Sequence, residues 1–197
     1  MPEPTKRALE ASEVGTKLPI GQDKEVKTTV IIKKEESKPE KKATRITEIV
    51  SFATGEITVK MDDGKTYRRE GGTIAWRYNN PGNLKFGQFA KQHGALGEGA
   101  GGHSVFPTKE IGTKAQKELL FRDGGAYYNK SITNAIARYA PSSDGNNPKA
   151  YAAYIAAKVG VPVSKVLKDM TDEQKDKMVE AMQIYEGYKE GAITLLA

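Results

Sequence analysis

The side chains best suited to chemistry lie in Trp76-Arg77-Tyr78-Asn79-Asn80-Pro81-Gly82-Asn83 and, near the end of the chain, in Tyr185-Glu186-Gly187. The Asn-Asn-Pro-Gly-Asn run has the composition of a turn: Pro fixes φ, Gly admits φ > 0, and Asn side chains close hydrogen bonds onto their own backbone. An aromatic residue, an arginine and three amides crowd into the same short segment. Flat apolar faces beside amide donors and acceptors suit a carbohydrate. Taken alone, the segment is equally well explained as a structural turn.

Cleaving a glycosidic bond requires a carboxylic acid that can pass its proton to the leaving oxygen near neutral pH. Apolar surroundings and the negative end of a helix both favour the protonated form of a carboxyl group. Glu186 follows directly on the apolar stripe of the last helix and stands at that helix's end. The plainer alternative is a solvated Glu on a charged helix, the usual fate of this residue type. A partner carboxylate belongs roughly 6.5–9.5 Å away for inversion and roughly 5–5.5 Å away for retention. Glu70, Glu98, Asp123 and Asp144 are the candidates, and each fits a loop or turn role as well. Asn80, Asn83, Asn146, Asn147 and the hydroxyls of Tyr78 and Tyr151 are expected to hold polar groups of the sugar and water, with Arg77 and the Tyr185 ring completing the substrate contacts.

Other chemistries find less support. His93 and His103 are the two histidines and lack the His-x-x-x-His spacing of a zinc protease helix, and there is no cysteine, so neither a metal nor another cofactor is expected. Ser104 or Ser131 could be paired with His103 only without a Gly-x-Ser-x-Gly elbow. The glycines at 97, 99, 101 and 102 precede no helix with apolar spacing, which argues against a phosphate cradle.

The elements that must position these residues are legible as periodicity. Residues 46–52 and 56–61 alternate apolar and polar positions, and Asp62-Asp63-Gly64 signals a hairpin into residues 65–69. These strands make a small β-meander over residues 45–70, which either props the Asn-rich loop or offers a separate docking patch. Gly71-Gly72 is a joint. Residues 85–102 are Gly-rich and aperiodic and read as a mobile loop that could cover a cleft.

A helix capped by Thr108 carries Ile111, Ala115, Leu119 and Leu120 on one stripe and ends near Asp123-Gly124-Gly125. Ser131 caps a second with Ile132, Ala135, Ile136 and Tyr139 inward. A third spans residues 148–159, with Pro148 in its first turn and Tyr151, Tyr154, Ile155 and Val159 on its stripe. Residues 163–167 read as a short helix. Thr171 and Gln174 form a capping-box pattern for the last one, which ends at Glu186 before Gly187 and buries Met178, Ala181, Met182 and Tyr185. The apolar tail, residues 192–197, is expected to pack back on the body. The fold class is therefore mainly α with a β component, an α+β chain.

The 197 residues are enough for one cored domain with an appendage, and the modest 38% hydrophobic content is depressed mainly by residues 1–44. That stretch, rich in Lys, Glu, Pro, Thr and Ser, reads as a disordered segment or linker. It carries 10 basic against 8 acidic residues and the remainder 21 against 17, so the +6 net charge is spread evenly. An even spread argues against nucleic acid as partner, since such proteins gather positive charge on one face; mild positive charge suits approach to an anionic cell wall. No signal peptide and no run of eighteen apolar residues is expected to direct or anchor the chain in a membrane.

From residue 71 to residue 192 the chain resembles a family of lysozyme-like domains found in phage virion proteins and type VI secretion effectors. The resemblance rests on Arg77 to Asn83, on Gly102-His103-Ser104-Val105-Phe106, on Tyr139-Ala140-Pro141 with Asn146, Asn147 and Tyr151, and on Tyr185-Glu186-Gly187, in that order. Two departures from the family pattern stand out: Tyr78 stands where another Asn is frequent, and the terminal motif is Tyr-Glu-Gly rather than His-Glu-Asn-Gly. The resemblance implies a lysozyme-like helical domain over residues 71–197 and muramidase activity on the β-1,4 bonds of peptidoglycan, with Glu186 as general acid. It also implies synthesis in the cytoplasm, delivery to the periplasm or cell wall by a virion or secretion machine, and an immunity protein as a partner. Two alternatives stay open, a lytic transglycosylase using the same Glu, and a cell-wall-binding or virion module without activity.

Overall fold

The computed structural model describes residues 43–197, so the amino-terminal linker assignment falls, but for its last two residues, outside the described part. Among the described residues there are six helices and a four-stranded antiparallel sheet, an α+β architecture. None of these helices is long and apolar enough to cross a membrane.

Strands β1 (Ile46–Ala53), β2 (Glu56–Met61) and β3 (Thr66–Glu70) form the meander that the alternation predicts. Gly55 at φ 77° and Gly64 at φ 84° make its two reversals, where a left-handed residue is required. Ile46, Ile57 and Val59 bury one face completely against Tyr78 and Val105.

The meander is not self-contained. Strand β6 (Ala192–Leu195) returns from the far end of the chain and pairs with β3, with Arg69 opposite Ile193 and Tyr67 opposite Leu195. Without it, β3 would present a row of unpaired backbone groups. The apolar tail thus returns through main-chain pairing while Ile193 and Leu195 stay exposed, and residues at both ends of the described chain share one sheet in one compact unit.

After α1 (Ile74–Arg77) and the Asn-rich loop, the Gly-rich segment is ordered rather than an aperiodic lid. It holds α2 (Gln88–Gln92) and a small ladder of β4 (Gly97–Glu98) with β5 (Ser104–Val105). Main-chain bonds from Phe86 to Gly102, Leu96 to Val105 and Gly99 to His103 fasten it at 2.7–2.8 Å. Short-range alternation cannot reveal such a ladder, because each strand has only two residues.

The helices follow their caps. Thr108 caps α3 (Lys109–Phe121), Ser131 caps α4 (Ile132–Tyr139), Asn147 caps α5 (Pro148–Val159), and Thr171 with Gln174 completes the capping box of α6 (Asp172–Tyr185). The short helix expected at residues 163–167 is instead a turn, because Val166 bridges to Ser131 and Lys165 closes onto Pro162; a single 3₁₀ turn follows at Leu167–Asp169. Helices α4, α5 and α6 pack around Leu120, Ile132, Ile136, Ile155, Leu167, Met178 and Met182, all fully buried. Tyr185, expected inward, is 42% exposed.

Candidate active site

The Asn79–Asn83 loop is held in a conformation few residues tolerate. Asn79 and Asn83 adopt φ of 51° and 50°, the only non-glycine residues with positive φ among those described. Asn is among the residue types that enter this region most readily. Gly82 has no space for a side chain, since a Cβ there would lie 2.6 Å from Gln116 Cδ. Gly112 on α3 is equally constrained, because a Cβ would meet the Asn79 carbonyl oxygen at 2.1 Å. Helix α3 therefore touches the loop backbone directly.

The first two asparagines face inward. Asn79 accepts from Arg69 Nη1 at 2.8 Å and donates to the carbonyls of Phe106 and Pro107. Asn80 is fully buried, accepts from the Leu84 N–H and donates to the Leu84 and Ser104 carbonyls, each at 2.9 Å. Arg69, itself buried, also donates to the Trp76 carbonyl and lies 4.5 Å over the Trp76 ring; burial pushes its guanidinium down to about 10.

The third asparagine faces the other way. Asn83 Nδ2 donates to Glu186 Oε2 at 3.0 Å, across 103 positions of sequence. Glu186 terminates α6 and its main-chain N–H donates to the Met182 carbonyl. Tyr151 on α5 donates its hydroxyl to Glu186 Oε1 at 3.0 Å. Both carboxyl oxygens are thus gripped by neutral donors from different elements. Burial, and then the Glu186 charge, push the Tyr151 phenol far above its ordinary range, so it keeps its proton and remains a donor. Tyr139 is raised for the same two reasons, in the same order, and donates to the Gly82 carbonyl.

An aromatic cluster adjoins the carboxyl. Tyr151 and Tyr185 stack with centroids 3.8 Å apart and planes 9° from parallel, and Tyr154 tilts against Tyr185 at 5.3 Å. Tyr151 is buried while Tyr185 keeps part of its ring in solvent. The arrangement offers a carboxyl with fixed orientation next to an accessible aromatic surface.

The residues expected from the sequence separate into two sets. Glu186, Asn83, Tyr151 and Tyr185 converge. Arg77 donates to the Gly71 and Gly72 carbonyls at 2.7 and 3.0 Å and clamps the glycine joint. Tyr78 is buried and its hydroxyl accepts from the Ala100 N–H; with Asn80 it belongs to the scaffold. Asn147 accepts from the Ala150 N–H as the cap of α5, and Asn146 donates to the Pro141 carbonyl; both are exposed at the start of the helix that carries Tyr151.

Of the four carboxylates considered as partners, Glu70 pairs with Arg68 on the sheet, Asp144 accepts from Ser143, Glu98 lies on β4 and Asp123 is exposed after α3. The groups bonded to Glu186 are an amide and a phenol.

No family model matches the chain, and no curated protein or solved structure matches it either. Its chemistry is therefore read from its own residues. Sequence periodicity missed Tyr139, Tyr154 and Gln116 as neighbours of this site. The signal for Gln116 was present: a glutamine beside Ala115 on the inward stripe of α3, in a position otherwise suited to an apolar residue.

Proposed function

We propose that this chain is a glycoside hydrolase that cleaves the β-1,4 bond between N-acetylmuramic acid and N-acetylglucosamine in peptidoglycan, on a lysozyme-like domain with Glu186 as general acid. The observation that carries this reading is the Glu186 carboxyl held between Asn83 and Tyr151 beside the partly exposed Tyr185 ring. The motif resemblance points the same way. Delivery by a virion or a contractile secretion machine, as a lysin or antibacterial effector, belongs to the same proposal.

In this mechanism Glu186 gives its proton to the glycosidic oxygen as the C1–O bond breaks. Water then adds at C1, and its released proton returns to the carboxylate. Asn83 and Tyr151 orient the carboxyl, and Tyr185 supplies a flat face for a sugar ring. Pre-orientation of this kind lowers the barrier because little needs to move during the reaction.

Mass spectrometry of fragments released from purified peptidoglycan by wild type and by Glu186→Gln tests the proposal. Reducing muramic acid ends from wild type, with release reduced about 10²- to 10⁴-fold in the variant, are expected for loss of a general acid. Anhydro ends would reassign the reaction to a lytic transglycosylase, in which the sugar's own 6-hydroxyl attacks. Equal release by both proteins would remove Glu186 from the mechanism. No release by either, with retention on insoluble peptidoglycan, would leave a binding module.

A further inference from the structure

The contact between Asn83 and Glu186 joins two distant segments, and one buried polar side chain reaches both. Gln116 on α3 is fully buried. Its Oε1 accepts from Gln183 Nε2 at 3.3 Å, and Gln183 lies one turn before Glu186 on α6. On its other side, Gln116 Nε2 lies 3.4 Å from the Tyr139 hydroxyl that donates to the Gly82 carbonyl, and Gly82 immediately precedes Asn83. Gln183 also donates to Thr113 Oγ1 at 3.2 Å, which fastens α6 to α3 a second time.

Helix α3 therefore meets the loop at two points one turn apart, Gly112 against Asn79 and Gln116 against Gly82. Packing alone does not explain a glutamine at the second point. An apolar side chain of similar length would fill the volume without the cost of desolvating an amide, and a buried amide is tolerated only where its hydrogen bonds are made.

We propose that Gln116 is a positioning residue that fixes the geometry of the Glu186 carboxyl by holding the end of α6 and the Gly82-Asn83 segment in one hydrogen-bonded chain. The inference rests on the reading of Glu186 as the general acid. It adds a residue in contact with neither Glu186 nor the substrate that sets how Glu186 is presented. Small misplacements of this kind are costly, because an acid must meet the leaving oxygen within hydrogen-bond reach.

The test uses Gln116→Met, which keeps length and volume and removes the bonds to Gln183 and Tyr139 together with the weak contact of Nε2 with Met182 Sδ at 4.0 Å, and Gln183→Met, which breaks only the Gln183 link on the α6 side, at a partly exposed position. On a soluble N-acetylated glycan fragment, Gln116→Met is expected to lower kcat about tenfold to a hundredfold with KM changed less than about twofold, and Gln183→Met less in the same direction. A second readout needs no activity. The side-chain amide resonances of Asn83, assigned by their loss in Asn83→Asp, should differ between wild type and Glu186→Gln, and that difference should collapse when Gln116→Met is the background.

An unchanged kcat and an unchanged amide difference, even with a lowered melting temperature, would make Gln116 a packing residue and overturn the proposal. If wild type cleaves no glycan, the functional reading fails. The amide comparison still decides whether Gln116 positions Glu186.

Discussion

The two halves of the Asn79–Asn83 loop use the same residue type for opposite purposes. At the amino end, Asn79 and Asn80 are turned toward the sheet and the β5 segment, where every polar atom of their amides has a main-chain or guanidinium partner. At the carboxyl end, Asn83 has the same left-handed backbone as Asn79 but directs its amide at a carboxyl group on another element. Identity and backbone conformation are shared between Asn79 and Asn83. What differs is the surroundings: a closed set of carbonyls on one side, an ionisable group beside solvent on the other. One half stabilises the loop, and the other joins it to the end of α6.

The contrast predicts a clean separation of stability from activity, and the largest effects fall on the scaffold side. Gly112→Ala drives a Cβ into the Asn79 carbonyl oxygen, where neither backbone can yield cheaply. It is expected to destabilise the fold by about 3 kcal/mol, the upper range for a strained core change, and a urea titration would measure it. An unaltered midpoint would show that α3 does not bear on the loop. Asn80→Ala strands the buried Leu84 N–H and removes a donor from Ser104, and a loss of about 2–4 kcal/mol is expected from the same titration. Its residual activity per folded molecule should equal that of wild type.

On the other half the order reverses. Asn83→Gly keeps a residue that accepts φ of 50° and deletes the amide, so stability should change by less than about 1 kcal/mol. Glycan cleavage should nevertheless fall about tenfold, the size of a lost orienting contact; cleavage at the wild-type rate would move Asn83 to the scaffold set. The smallest effect is expected at Tyr185→Leu, an exposed position, where the melting temperature should hardly move. Weaker binding to insoluble peptidoglycan in a sedimentation assay would mark the ring as a sugar platform, and unchanged binding would leave it a helix-end residue.

Much of the architecture was legible because it is specified locally. The alternation of residues 46–61, the hairpin glycine at 64, the caps at Thr108, Ser131 and Thr171, and Pro148 in the first turn of α5 encode their elements within a few residues of sequence, and the structure agrees with each. The β4–β5 ladder and the pairing of β6 with β3 were not legible. Their strands have two and four residues, and main-chain bonds to distant segments define them rather than any pattern of their own. The turn at residues 163–166 escaped for a related reason: its apolar residues have helical spacing, and a bridge to Ser131 overrides it.

The amino-acid sequence by itself determined which residue types could do the chemistry, a carboxyl group at a helix end and a loop of amides, and it determined the helices and hairpins that carry them. Only the tertiary structure decided which amides turn inward and which one meets Glu186. Burial and hydrogen-bond partners depend on the packing of α3, α5 and α6 against the loop, and Asn79, Asn80 and Asn83 are the same residue until that packing distinguishes them.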